Sequence, residues 1–177
     1  MSLASPDLQD TPTLDERAGA LDMFAPRDYQ ARAVAAYEDV ELLLTAILPD
    51  ARIAHVGASA VPGAYSRGNV DVCVAVPRAS FDESLVVLVD AGFVTRPHDA
   101  GADPARLLEA PDSALALTLR LIETASRHES LIRFRDALRA DAELLARYNA
   151  LRIAAAPAGG AAYALAKTQF IEGVIAR

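Results

Sequence analysis

The stretch His55–Val76, HVGASAVPGAYSRGNVDVCVAV, decides the fold. Its last seven residues, Val70–Val76, are rich in β-branched side chains and alternate in character, which predicts a strand. The apolar run Ile53–Val56 predicts another strand just before it. The glycines, serines and proline between the two runs are typical of tight turns. The stretch therefore predicts a strand, a glycine-rich loop and a second strand.

Alternation along the second strand puts Asp71 and Cys73 on one face and the valines on the other. The loop that precedes this strand contains Gly57 and Ser59. A loop of small residues beside a strand carboxylate suits a phosphate group and a metal ion. We therefore take Gly57, Ser59 and Asp71 as the core of a candidate site.

The composition argues against several classes of protein. A chain of 177 residues with 53% hydrophobic residues is long enough for one domain with a substantial core. The net charge of −7 argues against generic nucleic-acid binding. No apolar run approaches the roughly 20 residues that a membrane helix needs, and the N-terminus has no signal-peptide pattern. The single cysteine excludes an intrachain disulfide and suits a cytoplasmic protein.

Prolines and scattered acidic residues predict a flexible N-terminal arm, residues 1–25. Hydrophobic periodicity predicts a single domain after it, residues 26–177. Further strands are expected at Phe93–Arg96, Arg106–Glu109 and Leu115–Ile122, with a turn-rich segment at His98–Pro104. Helices are expected at Asp28–Leu48, at Ser80–Ala91, in two segments after Ser126 that meet near Asp141, and at Ala162–Ala176, where Leu165 is expected to be buried. The fold class is α/β (α+β), a small mixed β-sheet with flanking helices and a C-terminal helical segment.

Several short motifs, in order along residues 28–177, resemble those of the GrpB family, a bacterial group with a nucleotidyltransferase-like fold. The run HVGASAVPG, followed by VDV, is similar to the family's central motif, EHVGSTAVPGLAAKPIIDI. In the C-terminal half, FRDALR at 134–139 is similar to FRDYLR, and Tyr148 with Leu151 and Arg152 resembles YAALK. Tyr163, Lys167, Phe170 and Ile171 resemble YTEAKTDFI. The resemblance implies a nucleotidyltransferase-like fold for this chain.

The resemblance also implies a function for the candidate site. In active nucleotidyltransferases of this fold, a Gly-Ser loop holds phosphates, and two carboxylates on the next strand bind Mg²⁺, which neutralises charge on the phosphoryl oxygens. Asp71 fills the first carboxylate position and is the candidate catalytic residue and Mg²⁺ ligand; the alternative for it is a structural, hydrogen-bonding role. Cys73 fills the second position, and because a thiolate is a poor ligand for Mg²⁺ we interpret it as a packed thiol.

Basic residues are the remaining candidates for the site. Arg67, Arg120, Arg135 and Lys167 are expected to bind phosphate. For each of them the alternative is a solvated or ion-paired side chain: Arg120 with an acid such as Glu109, and Arg135 with its neighbours. His55 is interpreted as a structural histidine, with a general base as the alternative.

The chain departs from the family pattern at four places, one of which is Arg67 followed by Gly68, where the family has lysine and proline. Ala54 replaces the glutamate before His55, Gly-Ala-Ser-Ala at 57–60 replaces Gly-Ser-Thr-Ala, and TLRL at 118–121 replaces the strand HLHV. Two functions therefore stay open. One is the binding of a nucleotide or phosphorylated small molecule, with Mg²⁺-dependent nucleotidyl transfer. The other is a non-enzymatic ligand-binding or interaction protein on the same fold, which the missing second carboxylate favours.

Overall fold

The computed structural model describes residues 21–96 and 105–176, which form a mixed sheet flanked by helices. The strands in these ranges are β1 (Arg52–Val56), β2 (Val70–Val76), β3 (Val94–Thr95), β4 (Ala105–Glu109) and β5 (Leu117–Glu123). The α-helices are α1 (Pro26–Ile47), α2 (Phe81–Asp90), α3 (Ser130–Ala140), α4 (Ala142–Ala155) and α5 (Gly160–Ile175). The sheet order is β1-β2-β5-β4-β3, with β2 and β5 parallel and the other neighbours antiparallel. This architecture confirms the predicted fold class.

The predicted elements are present in the expected order, with ends shifted by a few residues. Helix α1 begins at Pro26. Proline suits the first turn of a helix, because the N–H groups there have no partner within the helix and proline has no N–H. Asp141 separates α3 from α4 and caps α4, because its Oδ1 accepts hydrogen bonds from the N–H groups of Glu143 and Leu144, both at 2.9 Å. The turn-rich segment at 98–104 and residues 1–20 of the predicted arm lie outside the described residues.

One face of the sheet carries the main hydrophobic core. Val70, Val72 and Val74 of β2 lie beside the alternate leucines of β5, because the two strands pair in parallel register. Helices α1 and α2 cover this face with buried residues such as Leu44 and Leu88. The alternation read from the sequence of β2 therefore decides which face meets these two helices.

The opposite face of the sheet meets the C-terminal helices. Cys73 and Ala75 pack there with Ile132 of α3. A third cluster joins α3, α4 and α5 to the loop after β1; its buried members are Ala58, Val61, Ala64, Phe134, Leu138, Leu144, Tyr148 and Ile171. The loop is therefore held between the sheet and the helical segment, which brings residues of α4 and α5 to the Asp71 end of the sheet.

The expected burial of Leu165 is wrong, since 57% of this residue is exposed. Tyr163 and Ile171 define the buried side of α5. Leu165 follows Tyr163 by two residues and so lies roughly 200° away around the helix, on the outer side. Among the described residues, no helix is both long enough and apolar enough to cross a membrane.

Candidate functional site

Two arginines of α3 hold the start of the loop between β1 and β2. Arg135 donates through Nη1 to the carbonyl oxygen of His55 at 2.7 Å. Arg139 donates through Nε and Nη2 to the carbonyl oxygen of Ala60, at 2.9 and 2.6 Å. Hydrogen bonds from a charged donor are stronger than neutral ones, so these contacts fix the loop against the helical segment.

Side chains of α1 and α4 hold the middle of the loop. Gln30 donates to the carbonyl oxygen of Val61 at 2.7 Å and accepts from the N–H of Gly63 at 3.2 Å. Asn149 donates to the carbonyl oxygen of Gly63 and accepts from the N–H of Tyr65, both at 2.9 Å. Because each amide side chain satisfies two backbone groups, the loop has a defined shape without regular secondary structure.

Gly57 and Asp71 lie directly against each other, as the sequence predicted for two members of the site. Gly57 has φ 71° and ψ −170°, a conformation that is essentially limited to glycine. A Cβ atom at this position would lie 2.4 Å from Oδ2 of Asp71. Asn69 donates through Nδ2 to both carboxylate oxygens of Asp71 at 2.9 Å. The carboxylate is thus positioned beside the first turn of the loop.

The hydroxyl of Ser59, the third predicted member, lies inside the protein. Its Oγ is 2.9 Å from Nε2 of His55, and the residue is 1% exposed. His55 stacks on Tyr37 of α1, with ring centroids 4.5 Å apart. Burial, together with the charges of Arg139 and Arg135, lowers the pKa of His55 to about 4, so the imidazole is neutral at pH 7. These contacts favour the structural interpretation of His55, and a phosphate contact of Ser59 stays a prediction.

The second carboxylate position offers no oxygen ligand. Cys73 is fully buried, and burial raises the pKa of its thiol to about 11, although nearby Arg120 acts in the opposite direction. The thiol is therefore protonated and packed, as predicted. Within the described ranges, no group of three or more His, Cys, Asp or Glu residues could hold a metal ion. Asp71 with a buried thiol does not fit a Mg²⁺ ion held by protein carboxylates.

Arg120 lies in the middle of the sheet, 8% exposed. It pairs in register with Cys73 of β2 and Leu107 of β4, one alternate position beyond Asp71 on the same face. The interpretation of Arg120 as a solvated side chain is therefore wrong. Glu109, its proposed acidic partner, forms an ion pair with Arg96 at 3.3 Å.

Arg135 reaches the end of β1, next to the loop between β1 and β2, through its bond to the His55 carbonyl. Its Nε also donates to Oδ1 of Asp136 at 2.8 Å. The structure thus provides the neighbour pairing that the sequence left open. The bond to the His55 carbonyl, in β1, joins α3 to the sheet, and phosphate binding by Arg135 stays a prediction.

Sequence reasoning did not include Arg152 of α4 in the site. This residue is 4% exposed, and its Nη1 donates to the hydroxyl of Tyr148 at 2.7 Å. Its Cζ lies 5.2 Å from the ring centroid of Tyr148 and 5.7 Å from that of Tyr163. The i, i+4 spacing from Leu144 through Tyr148 predicts a buried position, but an arginine there is easily assigned to the surface because charged residues are mostly exposed.

Arg152 and its neighbour Tyr163 interact electrostatically with residues that the sequence predicted for the site. Burial disfavours its charged form, but Tyr148, Tyr163 and Asp71 outweigh burial and hold the Arg152 pKa above its ordinary value. Burial raises the pKa of Tyr163, while Arg152, Lys167 and Arg67 act to lower it. Asp71 therefore lies within electrostatic range of α4, and the predicted cations Arg67 and Lys167 lie within range of Tyr163 on α5.

Comparison with known proteins identifies a family and relatives that match most of this chain. The sequence profile of the GrpB protein family matches residues 27–177. A UPF0157 protein of Vibrio cholerae is 32% identical over 148 residues, which is 84% of this chain and 78% of that protein. A UPF0157 protein of Streptomyces coelicolor is 34% identical over 123 residues, 68% of this chain and 64% of that protein.

Solved structures resemble this fold as well. The crystal structure of conserved protein GrpB from Enterococcus faecalis covers 88% of this chain and 98% of its own length, with a TM-score of 0.70 and 18% identity. A cytoplasmic RNA terminal U-transferase matches 76% of this chain with a TM-score of 0.51 and 17% identity. The Cid1 poly(U) polymerase bound to MgGTP matches with a TM-score of 0.51 and 16% identity. The chain spans about 40% of the length of these two transferases, and the likeness is one of fold.

Proposed function

Because the chain belongs to the GrpB family and has a nucleotidyltransferase-like fold, we propose that it binds a nucleotide or another phosphorylated small molecule. The binding site lies where the loop after β1, the start of β2 and helix α5 meet. The observation that carries the proposal is the contact of Gly57 with the Asp71 carboxylate, in a region where Arg67 and Lys167 supply positive charge around Tyr163.

The charges of the site favour a phosphate ligand. The protein as a whole has a net charge of −7, so its cations do not form a generic basic surface. Arg67 and Lys167 nevertheless act together on one tyrosine, and Arg152 adds a buried guanidinium close by. Cations gathered in one region bind the charged oxygens of phosphate through short, charge-assisted hydrogen bonds. In this proposal Arg67 and Lys167 hold the phosphates, and Gly57 lets the backbone approach them.

The remaining predicted residues have supporting roles in the proposal. Asp71 orients the ligand or shares a Mg²⁺ ion with the ligand's phosphates. Such an ion would have one protein carboxylate as a ligand and would keep most of its waters. Arg120 and Arg135 add positive charge behind the loop, and Ser59 supports the loop through His55. We also propose that the protein works in the cytoplasm, which the single buried thiol suits.

A second candidate function is a non-enzymatic binding protein on the same fold. The packed thiol of Cys73 favours this candidate. Nucleotidyl transfer of this type uses two carboxylates to bind the metal ions, and the second carboxylate position is occupied by this thiol. Slow or absent transfer of a nucleotidyl group to any acceptor would distinguish it from an enzyme that binds the same ligand.

The proposal is tested by calorimetric titration of nucleoside triphosphates into the wild-type protein, Lys167→Ala and the control variant Arg133→Ala. Arg133 is an exposed arginine of α3, so its removal changes the net charge by the same amount outside the site. We expect Lys167→Ala to weaken binding about tenfold, as for the loss of one charge-assisted hydrogen bond, and Arg133→Ala to bind like the wild type. Absence of binding, or equal loss in both variants, would contradict the proposal.

A further inference from the structure

Two polar atoms at the junction of α4 and α5 are buried without a hydrogen-bond partner in the part of the chain that the structure describes. They are Nε of Arg152 and the hydroxyl oxygen of Tyr163, and the latter residue is 2% exposed. Most buried polar groups in folded proteins have a partner, so an arginine N–H and a tyrosine hydroxyl that are both unpaired at one junction need an explanation.

The two groups belong to one compact arrangement. The guanidinium of Arg152 lies between the rings of Tyr148 and Tyr163, and its Nη1 is already bonded to the Tyr148 hydroxyl. Contact with two aromatic rings stabilises the charge of the guanidinium but does not satisfy its Nε–H. An Nε–H can only donate, and a tyrosine hydroxyl can donate or accept, so the group that completes both is an acceptor oxygen.

The charge of the surroundings specifies the kind of oxygen. Arg67 and Lys167 are half-buried and act on the Tyr163 hydroxyl, so positive charge extends from the buried pair towards the protein surface. Asp71 acts on Arg152 from the sheet side. Two cations act on this pair, which itself contains the guanidinium of Arg152, and one carboxylate opposes them. An anionic oxygen is therefore favoured over a neutral carbonyl.

We infer that Arg152 and Tyr163 form a recognition pair for an oxyanion group of the ligand, donating from Nε and from the tyrosine hydroxyl to its oxygens. This inference rests on the proposed function and adds to it the residues that select an anionic group. A phosphate and a carboxylate share this chemistry. The alternative is that the three side chains serve packing alone, with the guanidinium held between aromatic rings.

The variant Tyr163→Phe separates recognition from packing, because it keeps the ring against Arg152 and removes only the hydroxyl. Since that hydroxyl has no partner in the free protein, its removal is not expected to lower the melting temperature. If the pair recognises an oxyanion, the same change weakens binding of the anion about tenfold. Arg152→Lys, which keeps the charge but lacks the Nε–H, is expected to weaken binding as well; should that variant fail to fold, Tyr163→Phe decides.

The experiment measures the melting temperature of the wild type, Tyr163→Phe and Arg133→Ala with inorganic phosphate, a nucleoside triphosphate, citrate or an uncharged nucleoside. Stabilisation of the wild type and Arg133→Ala by the phosphate compounds, reduced in Tyr163→Phe, supports the pair and the proposed function. Stabilisation by citrate alone, lost in Tyr163→Phe, supports the pair and contradicts the proposed phosphate ligand.

Three other outcomes overturn the inference. If Tyr163→Phe responds to phosphate compounds as the wild type does, Arg152 and Tyr163 do not recognise the anion. The proposed function then stands without the recognition pair. If no anion stabilises the wild type, the recognition pair and the proposed function both fail. Stabilisation by the uncharged nucleoside that equals that by the triphosphate likewise contradicts an oxyanion pair.

Discussion

Arg139 donates two hydrogen bonds to the backbone carbonyl oxygen of Ala60, although the two residues are 79 positions apart in the chain. The contact joins α3 to the loop that also contains Gly57. Ala60 is buried, so its carbonyl has few other sources of a partner. The shape of the loop beside Asp71 therefore depends on the C-terminal helices and not on the local sequence alone.

We predict that Arg139→Ala lowers the free energy of unfolding by about 2 kcal/mol, because a buried carbonyl loses a charged donor. Arg133→Ala removes another exposed arginine of the same helix, one that does not hold the Ala60 carbonyl, and is expected to change the free energy of unfolding by less than about 0.5 kcal/mol. Urea unfolding of both variants measures the difference. Equal values for the two variants would mean that the bonds to Ala60 contribute nothing to stability.

Replacement of Gly57 tests the close approach of the loop to Asp71. Both Gly57 and Gly92 have positive φ, at 71° and 96°, but a Cβ at Gly92 meets no atom within 4 Å. Gly92→Ala is therefore expected to cost about 1 kcal/mol from backbone strain alone. Gly57→Ala adds the collision with the carboxylate and is expected to cost about 3 kcal/mol or more.

The same two alanine variants also report on the site. Chemical denaturation gives the stabilities, and titration with a nucleoside triphosphate gives the affinities. We expect Gly57→Ala to bind more weakly than Gly92→Ala. A Gly57→Ala protein as stable as Gly92→Ala and with unchanged affinity would refute the predicted contact between loop and carboxylate.

The buried His55 predicts how stability depends on pH. Its folded-state pKa of about 4 lies below the value of 6.5 expected for the unfolded chain, so only the unfolded chain takes up this proton between those values. The contribution of neutral His55 to the free energy of unfolding is thus fully present above pH 6.5. It is lost as the pH falls towards 4, by up to roughly 3 kcal/mol.

Urea unfolding of the wild type and His55→Gln at several values between pH 7.5 and 4.5 checks this prediction. Because glutamine does not titrate, the variant should lose less stability than the wild type over this range, whatever its stability at pH 7.5. Parallel pH profiles for the two proteins would show that His55 does not stay neutral on folding.

The sequence predicted the sheet and most of the helices because their residues repeat with the period of each element. The span Val70–Val76 was predicted to the residue, since alternation and β-branching both indicate a strand there. It also predicted that Gly57 and Asp71 lie together, because the loop that begins at Gly57 leads directly into the strand that carries Asp71. These features depend on residues close in the chain.

Contacts between distant residues were not accessible in the same way. Arg152 lies at helical spacing from the buried residues of α4, but its burial depends on two tyrosine rings from different helices. The contact of Ser59 with His55 was also not predicted, although the two residues are only four positions apart, because it depends on the turn of the loop; a phosphate contact of Ser59 stays a prediction. Leu165 fits an apolar helix, yet only the packing of α5 decides which side is inside.

We expect protein cations, rather than a protein-held metal ion, to bind the phosphates of the ligand. Asp71 offers one carboxylate, and Cys73 beside it remains a thiol. The most direct test is calorimetric titration of the nucleoside triphosphate that stabilises the protein most, once in Mg²⁺ and once in EDTA. We predict dissociation constants within about tenfold of each other in the two buffers, that is, within about 1.4 kcal/mol. Binding in Mg²⁺ that disappears in EDTA would contradict the claim and indicate a metal-dependent nucleotidyltransferase.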